Sequence, residues 1–166
     1  MKKHIFSIMI ILAGFFYYSE PLINENSIKK EEYKITYDGM KTINTGFDFL
    51  DIFVNNLVVG LILSVFGFLS GGIITTVVLF WNGYILSIVY NMAFKILEIQ
   101  EILYYSKHIL PEIIALILLS SIGYKGFFFY KKVFLYKKID LNKNPKLKEF
   151  IFPIFILFIA SIIETL

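Results

Sequence analysis

The chain has 166 residues and contains neither cysteine nor arginine. Without cysteine there is no disulfide, no thiol nucleophile and no cysteine-ligated metal cluster. Without arginine there is no planar fork to grip phosphate or carboxylate bidentately, which argues against a phosphate clamp or a nucleic-acid partner. All 16 basic residues are lysines, set against 13 acidic ones. Walker, dinucleotide-binding and zinc-protease motifs are also missing, so no cofactor is expected. The most consequential absence is of charge itself: from Ile52 to Phe94, between Asp51 and Lys95, no side chain is ionisable to a full charge at neutral pH.

As one straight helix that stretch would reach roughly 65 Å, about twice the thickness of a bilayer's hydrocarbon core. It must fold back, and Ser70-Gly71-Gly72 supplies the backbone freedom for the turn. The spacing predicts a hairpin of two membrane-spanning helices. In the first, Asn56, Gly60, Ser64, Gly67 and Gly71 share one face, and in the second Thr76, Gly83, Ser87 and Asn91 do so. Lipid attracts an apolar helix face as well as another helix does, so tight contact in membranes relies on small residues and on polar groups that bond across. Gly60, Ser64, Gly67, Gly71, Gly83 and Ser87 are therefore expected to pack helices, with the two stripes facing each other.

Composition agrees: 57% of the residues are hydrophobic, 18% are aromatic and the mean hydropathy is +0.71, too apolar for a water-soluble domain of this length. Residues 1–18 resemble a signal anchor, with Lys2, Lys3 and His4 ahead of an apolar run; no A-x-A-like cleavage site follows, and an uncleaved helix is expected. Residues 19–50 mix acids and lysines and read as an extracytoplasmic connector. Residues 51–166 form the membrane domain. Beyond the hairpin, Ile109 to Ile122, extended back through Ile102, is long enough to cross. Between Gly123 and Glu149 eight lysines alternate with Phe127-Phe128-Phe129-Tyr130 and Val133-Phe134-Leu135-Tyr136, the pattern of a basic amphipathic helix lying in the membrane interface. Phe150 to Leu166 is the last apolar run.

The resulting expectation is an all-α bundle of five spans in the cell membrane. The lysine bias places the amino terminus and the 123–149 loop inside and the carboxyl terminus outside. Ionisable and strongly polar groups at membrane depth are functional suspects by default. Here they are Asn55, Asn56, Asn82, His108, Glu112 and Glu164. Glu112 stands among Leu110, Pro111, Ile113 and Ile114, and His108 lies one turn earlier on the same face. One His and one carboxylate fall short of the three or four ligands a metal needs, so no metal is expected. Instead Glu112 is expected to bond to Asn55, Asn56 or Asn82 in the bundle interior; a role as proton or ion carrier would use the same geometry. No nucleophile and base form a pair, so the chain is not expected to be an enzyme.

The succession Phe53-Val54-Asn55-Asn56-Leu57, Gly67 with Gly71-Gly72, Asn82-Gly83, His108-Ile109-Leu110-Pro111-Glu112-Ile113-Ile114-Ala115 and Ile159-Ala160-Ser161-Ile162-Ile163-Glu164 resembles the stage II sporulation protein M family over residues 47–166. Two details depart from that family's pattern: His108 precedes Pro111 instead of following it, and Thr165 rather than Ala follows Glu164. The resemblance implies an integral membrane scaffold whose partners are the bilayer and other membrane or cell-wall-remodelling proteins, with homo-oligomerisation left open. Similar proteins encoded beside circular bacteriocins imply an alternative role in bacteriocin maturation, export or immunity. An ion-coupled transporter is the third reading.

Overall fold

The computed structural model describes residues 2–17, 49–137 and 145–165, and every element among them is a helix. The connector expected over 19–50 lies outside the described residues, apart from Phe49 and Leu50. Helix α1 covers Lys2–Tyr17 and α2 Phe49–Leu69, the latter interrupted by a π turn over Ile62–Phe66. They are followed by α3 (Ile73–Ile96), the short α4 (Ile99–Tyr105), α5 (Ile109–Gly123), α6 (Lys125–Tyr136) and α7 (Lys148–Thr165).

The turn between α2 and α3 falls at Ser70-Gly71-Gly72. Gly71 and Gly72 take φ of 65° and 93°, in the left-handed region where a Cβ would be strained. The Gly72 amide donates to the Gly67 carbonyl at 2.7 Å, and the Ser70 hydroxyl accepts from the Ile74 amide at 3.0 Å, which satisfies one free donor at the start of α3.

Three helical runs are long and apolar enough to cross a membrane: Phe49–Leu69, Ile73–Lys95 and Ile109–Leu135. The remaining two apolar helices differ in kind. Helix α1 is apolar but has only 16 residues, and α7, at 18 residues, carries Lys148, Glu149 and Glu164 within its length. The third run also starts later and ends later than its sequence suggests. Ser106, Lys107 and His108 form a turn that separates α4 from α5, so the helix is not extended back through Ile102. Pro111 sits in the first turn of α5, where its missing amide hydrogen costs nothing. At the other end, Tyr124 keeps a right-handed helical backbone and α6 follows α5 directly. Of the lysine- and aromatic-rich segment, Lys125–Tyr136 is helical and continues the α5 run, while residues 138–144 lie outside the described residues.

Two closely packed helix pairs set the arrangement. Helix α1 lies along α3, with Gly14 against the backbone of Phe80 and Gly83 against the backbone of Ile11; a methyl group at either glycine would run into the opposing carbonyl oxygen. Helix α2 crosses the α5–α6 junction, where the Gly123 backbone meets the Leu63 carbonyl and Gly126 that of Phe68. Leu63, Leu79, Leu116, Ile11 and Tyr124 form the core between these pairs, and Ala115, Leu119, Ile122 and Leu157 join α5 to α7.

The two small-residue stripes consequently face different neighbours. Gly60 packs against Leu119 of α5 and Leu157 of α7, whereas Gly83 packs against α1; only Gly67, against Thr75, joins the two arms of the hairpin. Gly14→Ala and Gly83→Ala are each expected to lower stability by about 1–3 kcal/mol, because a carbonyl cannot yield as a side-chain tip can. Ala13→Leu, on the exposed side of α1, should change it by less than about 0.5 kcal/mol. Equilibrium unfolding in detergent measures all three, and an unchanged Gly83→Ala protein would contradict this packing.

Candidate functional site

The described polar groups fall into a buried set inside the bundle and two charged sets at its ends. The buried set centres on the π turn. A π turn stretches the backbone bond by one residue, here with the Gly67 amide reaching the Ile62 carbonyl. Nearby, the fully buried Thr75 hydroxyl donates to the Leu63 carbonyl at 2.8 Å, tying α3 to α2. The Ser64 hydroxyl donates to the Gly60 carbonyl at 2.7 Å. Ser7 of α1 and Ser120 of α5, both fully buried, share a hydrogen bond of 2.7 Å. One hydroxyl supplies that proton, and the other proton goes to a carbonyl of its own helix, Lys3 or Ile117. The Tyr124 and Thr76 hydroxyls are 3.1 Å apart, and Phe6 meets the Tyr124 ring edge-on with centroids 5.2 Å apart.

These contacts bring the start of α1, the hairpin turn, the α5–α6 junction and the start of α7 to one end. Lys3 lies over the Phe128 ring at 5.1 Å, Phe68 packs against Phe129, and Lys125 donates to both carboxylate oxygens of Glu149 at 2.5 Å. Lys131 and Lys132 follow on α6, Lys137 comes just past its end, Lys146 lies two residues before α7, and Lys148 begins α7. The opposite end gathers Asp51, Glu98, Glu101, Glu112 and Glu164 with Lys95 and Lys107. There the His108 imidazole lies 3.9 Å from the Glu164 carboxylate, joining the start of α5 to the end of α7, and Glu164 is close enough to act on the partly buried Glu112 through space.

The asparagines do not serve Glu112 as expected. Asn82 donates its amide to the Val78 carbonyl one turn back at 2.8 Å, and Asn91 does the same to Ser87 at 2.9 Å. Asn56 is buried toward the bundle, while Asn55 is exposed on the outer side of α2. No hydrogen bond joins Glu112 to any of them among the described residues. The physical reason is reach: Asn82 sits on α3 and satisfies itself on its own helix, while Glu112 sits beside the end of α7. Ser87 and Ser64 are buried, and Gly71 lies against the Tyr130 ring. Among the described residues, no three His, Asp or Glu side chains converge as metal ligands.

The family model described as stage II sporulation protein M matches residues 4–166. The chain belongs to that family. The match takes in α1, which the resemblance over 47–166 had left aside. This agrees with the way Gly14 and Ser7 build α1 into the bundle. No curated protein and no solved structure matches this stage II sporulation protein M family member.

Sequence reasoning passed over Ser7, Thr75 and Ser120, the hydroxyls that join helices. Ser7 stands in a stretch that resembles a signal, and Thr75 lies one residue off the stripe that included Thr76. The signal that would have found them is a hydroxyl one or two turns from a glycine on a neighbouring apolar run. Thr75→Val keeps the shape and removes the donor, so it should cost about 1 kcal/mol, the scale of interhelical hydrogen bonds in membranes. Unfolding in detergent measures it, and a cost near zero would mean that the Leu63 carbonyl finds another donor.

Proposed function

We propose that this stage II sporulation protein M family member is a non-enzymatic membrane scaffold that holds cell-wall-remodelling proteins at the cell membrane, the role its resemblance implies. The supporting observation is how the interior polar groups are used. Ser7, Ser120, Thr75, Thr76 and Tyr124 bond helix to helix, and Ser64 and Asn82 bond along their own helices. A membrane enzyme or carrier directs such groups toward a substrate. Here they fasten the bundle.

In this reading α1 and α7 also cross the membrane, giving five spans in the cell membrane. The lysine-rich end faces the cytoplasm, as the positive-inside rule requires. The aromatic rings and lysines of α6 then lie at the inner headgroup level, and the acidic end faces outward, toward the cell wall. Reporter fusions at Gln100 and Lys137 should report outside and inside respectively; a cytoplasmic Gln100 would overturn the orientation.

The scaffold role is tested by reconstitution and retrieval together. The purified protein is expected to leave peptidoglycan intact and to carry no ion flux in liposomes. The membrane-embedded protein is expected to co-purify with a peptidoglycan hydrolase. An ion flux abolished by Glu112→Gln would favour a transporter instead, and recovery of a bacteriocin precursor with its exporter would favour the bacteriocin role.

A further inference from the structure

The lysine-rich end of the bundle can be placed at a definite depth. Helix α2 has 21 residues, about 31 Å, so it uses up the bilayer core by the time it reaches the turn at Ser70-Gly71-Gly72. Tyr130 of α6 lies against Gly71 in that turn, and Phe68, at the end of α2, packs against Phe129 and Tyr130. A second ruler agrees: along the helical run Ile109–Leu135, Lys131 comes about 33 Å from the start. Both put Lys131 just past the hydrocarbon, in the layer where lipid headgroups lie.

Charge at this level is unbalanced. Lys125, about 24 Å along the same run, is still within the depth of the core and is neutralised by Glu149 of α7. From Lys125 to Glu149, Glu149 is the only acid among the described residues. No carboxylate therefore remains among them for Lys131, Lys137, Lys146 and Lys148, all of which are exposed. The Lys125–Glu149 pair also holds the start of α7 against α6, so lysines from both helices stand at one end of the bundle. On the same stretch of α6, Phe127, Phe128 and Phe134 are 53%, 43% and 79% exposed, and aromatic rings favour the border between acyl chains and headgroups.

We propose that this end of the protein is a binding site for the phosphodiester headgroup of an anionic phospholipid. Lys131 and Lys137 hold it from the end of α6, and Lys146 and Lys148 from the start of α7. The occupant follows from the depth. At headgroup level the phosphates at hand are those of the lipids, and the exposed rings offer contact to acyl chains, which a free phosphate lacks. An ammonium group is a point charge without the fixed fork of arginine, so these lysines select for net negative charge rather than for one headgroup shape. The proposal requires only that the Ile109–Leu135 run crosses the membrane, and it stands or falls separately from the scaffold role.

The purified protein in a neutral detergent is titrated with phosphatidylglycerol, with phosphatidylcholine and with inorganic phosphate, and bound lipid is read by native mass spectrometry. Phosphatidylglycerol is expected to bind about tenfold more tightly than phosphatidylcholine or better, and inorganic phosphate at the same concentration should not displace it. Lys131→Gln, Lys137→Gln, Lys146→Gln and Lys148→Gln should each weaken it about fivefold, the effect of one lysine at an anionic membrane surface. Lys95→Gln and Lys107→Gln, at the opposite end, should leave it unchanged. Equal affinity for the two lipids, displacement by inorganic phosphate, or equal losses from lysines at both ends would overturn the proposal.

Discussion

Helices in lipid gain nothing from hiding apolar surface from one another, so what holds them is how closely their backbones approach and what bonds across the gap. In this chain the approach depends on glycines set against carbonyl oxygens. Gly14 and Gly83 interlock α1 with α3, and Gly67 and Gly123 bring α2, α3 and α5 together at a single crossing. The crossing puts the Thr75 hydroxyl within reach of the Leu63 carbonyl, and the same compactness allows Ser7 to meet Ser120. The cross-helix hydrogen bonds are therefore secondary to the glycines. They exist because the backbones are already in contact.

That dependence also explains how charge is distributed. A close-packed interior leaves no room for a solvated ion, so the lysines and carboxylates are driven to the ends. There they form short-range contacts that link neighbouring helices, Lys125 to Glu149 at one end and His108 to Glu164 at the other. Both pairs tie α7 into the bundle. A helix with charged residues at both ends is thereby fixed in register against the α5–α6 run, whatever its own apolar length.

Much of this was legible in the residues. A charge-free run too long for one crossing, with two adjacent glycines inside it, leaves a hairpin as the simple answer. The order of the family's motifs was readable as well. Helical spacing identifies which residues share a face, but it does not say which neighbour that face meets. Gly83 was therefore assigned to α2 when it meets α1, and Glu112 was given asparagine partners that bond along their own helices. Ser7 escaped notice because a lysine-led apolar run reads the same whether it is discarded or built in. The later start of α5 turns on three residues, Ser106 to His108, whose turn competes with a continuous helical pattern that periodicity alone favours.

The helices also differ in length in a way that bears on the surrounding lipid. Helix α1, over its 16 described residues, reaches about 24 Å, whereas α3, at 24 residues, reaches about 36 Å along its axis. Yet the two are locked side by side through Gly14 and Gly83. In the proposed five-span reading, lipid chains bordering the described turns of α1 would shorten to meet them, while those bordering α3 would meet a longer apolar wall or a tilted one. The apolar belt would then be uneven around its circumference. A bilayer of uniform thickness would not match it everywhere, and the molecule would carry a thin side and a thick side. Each ångström of mismatch costs a fraction of a kcal/mol, enough to bias which lipids gather on which side and which way the protein turns where membrane thickness changes.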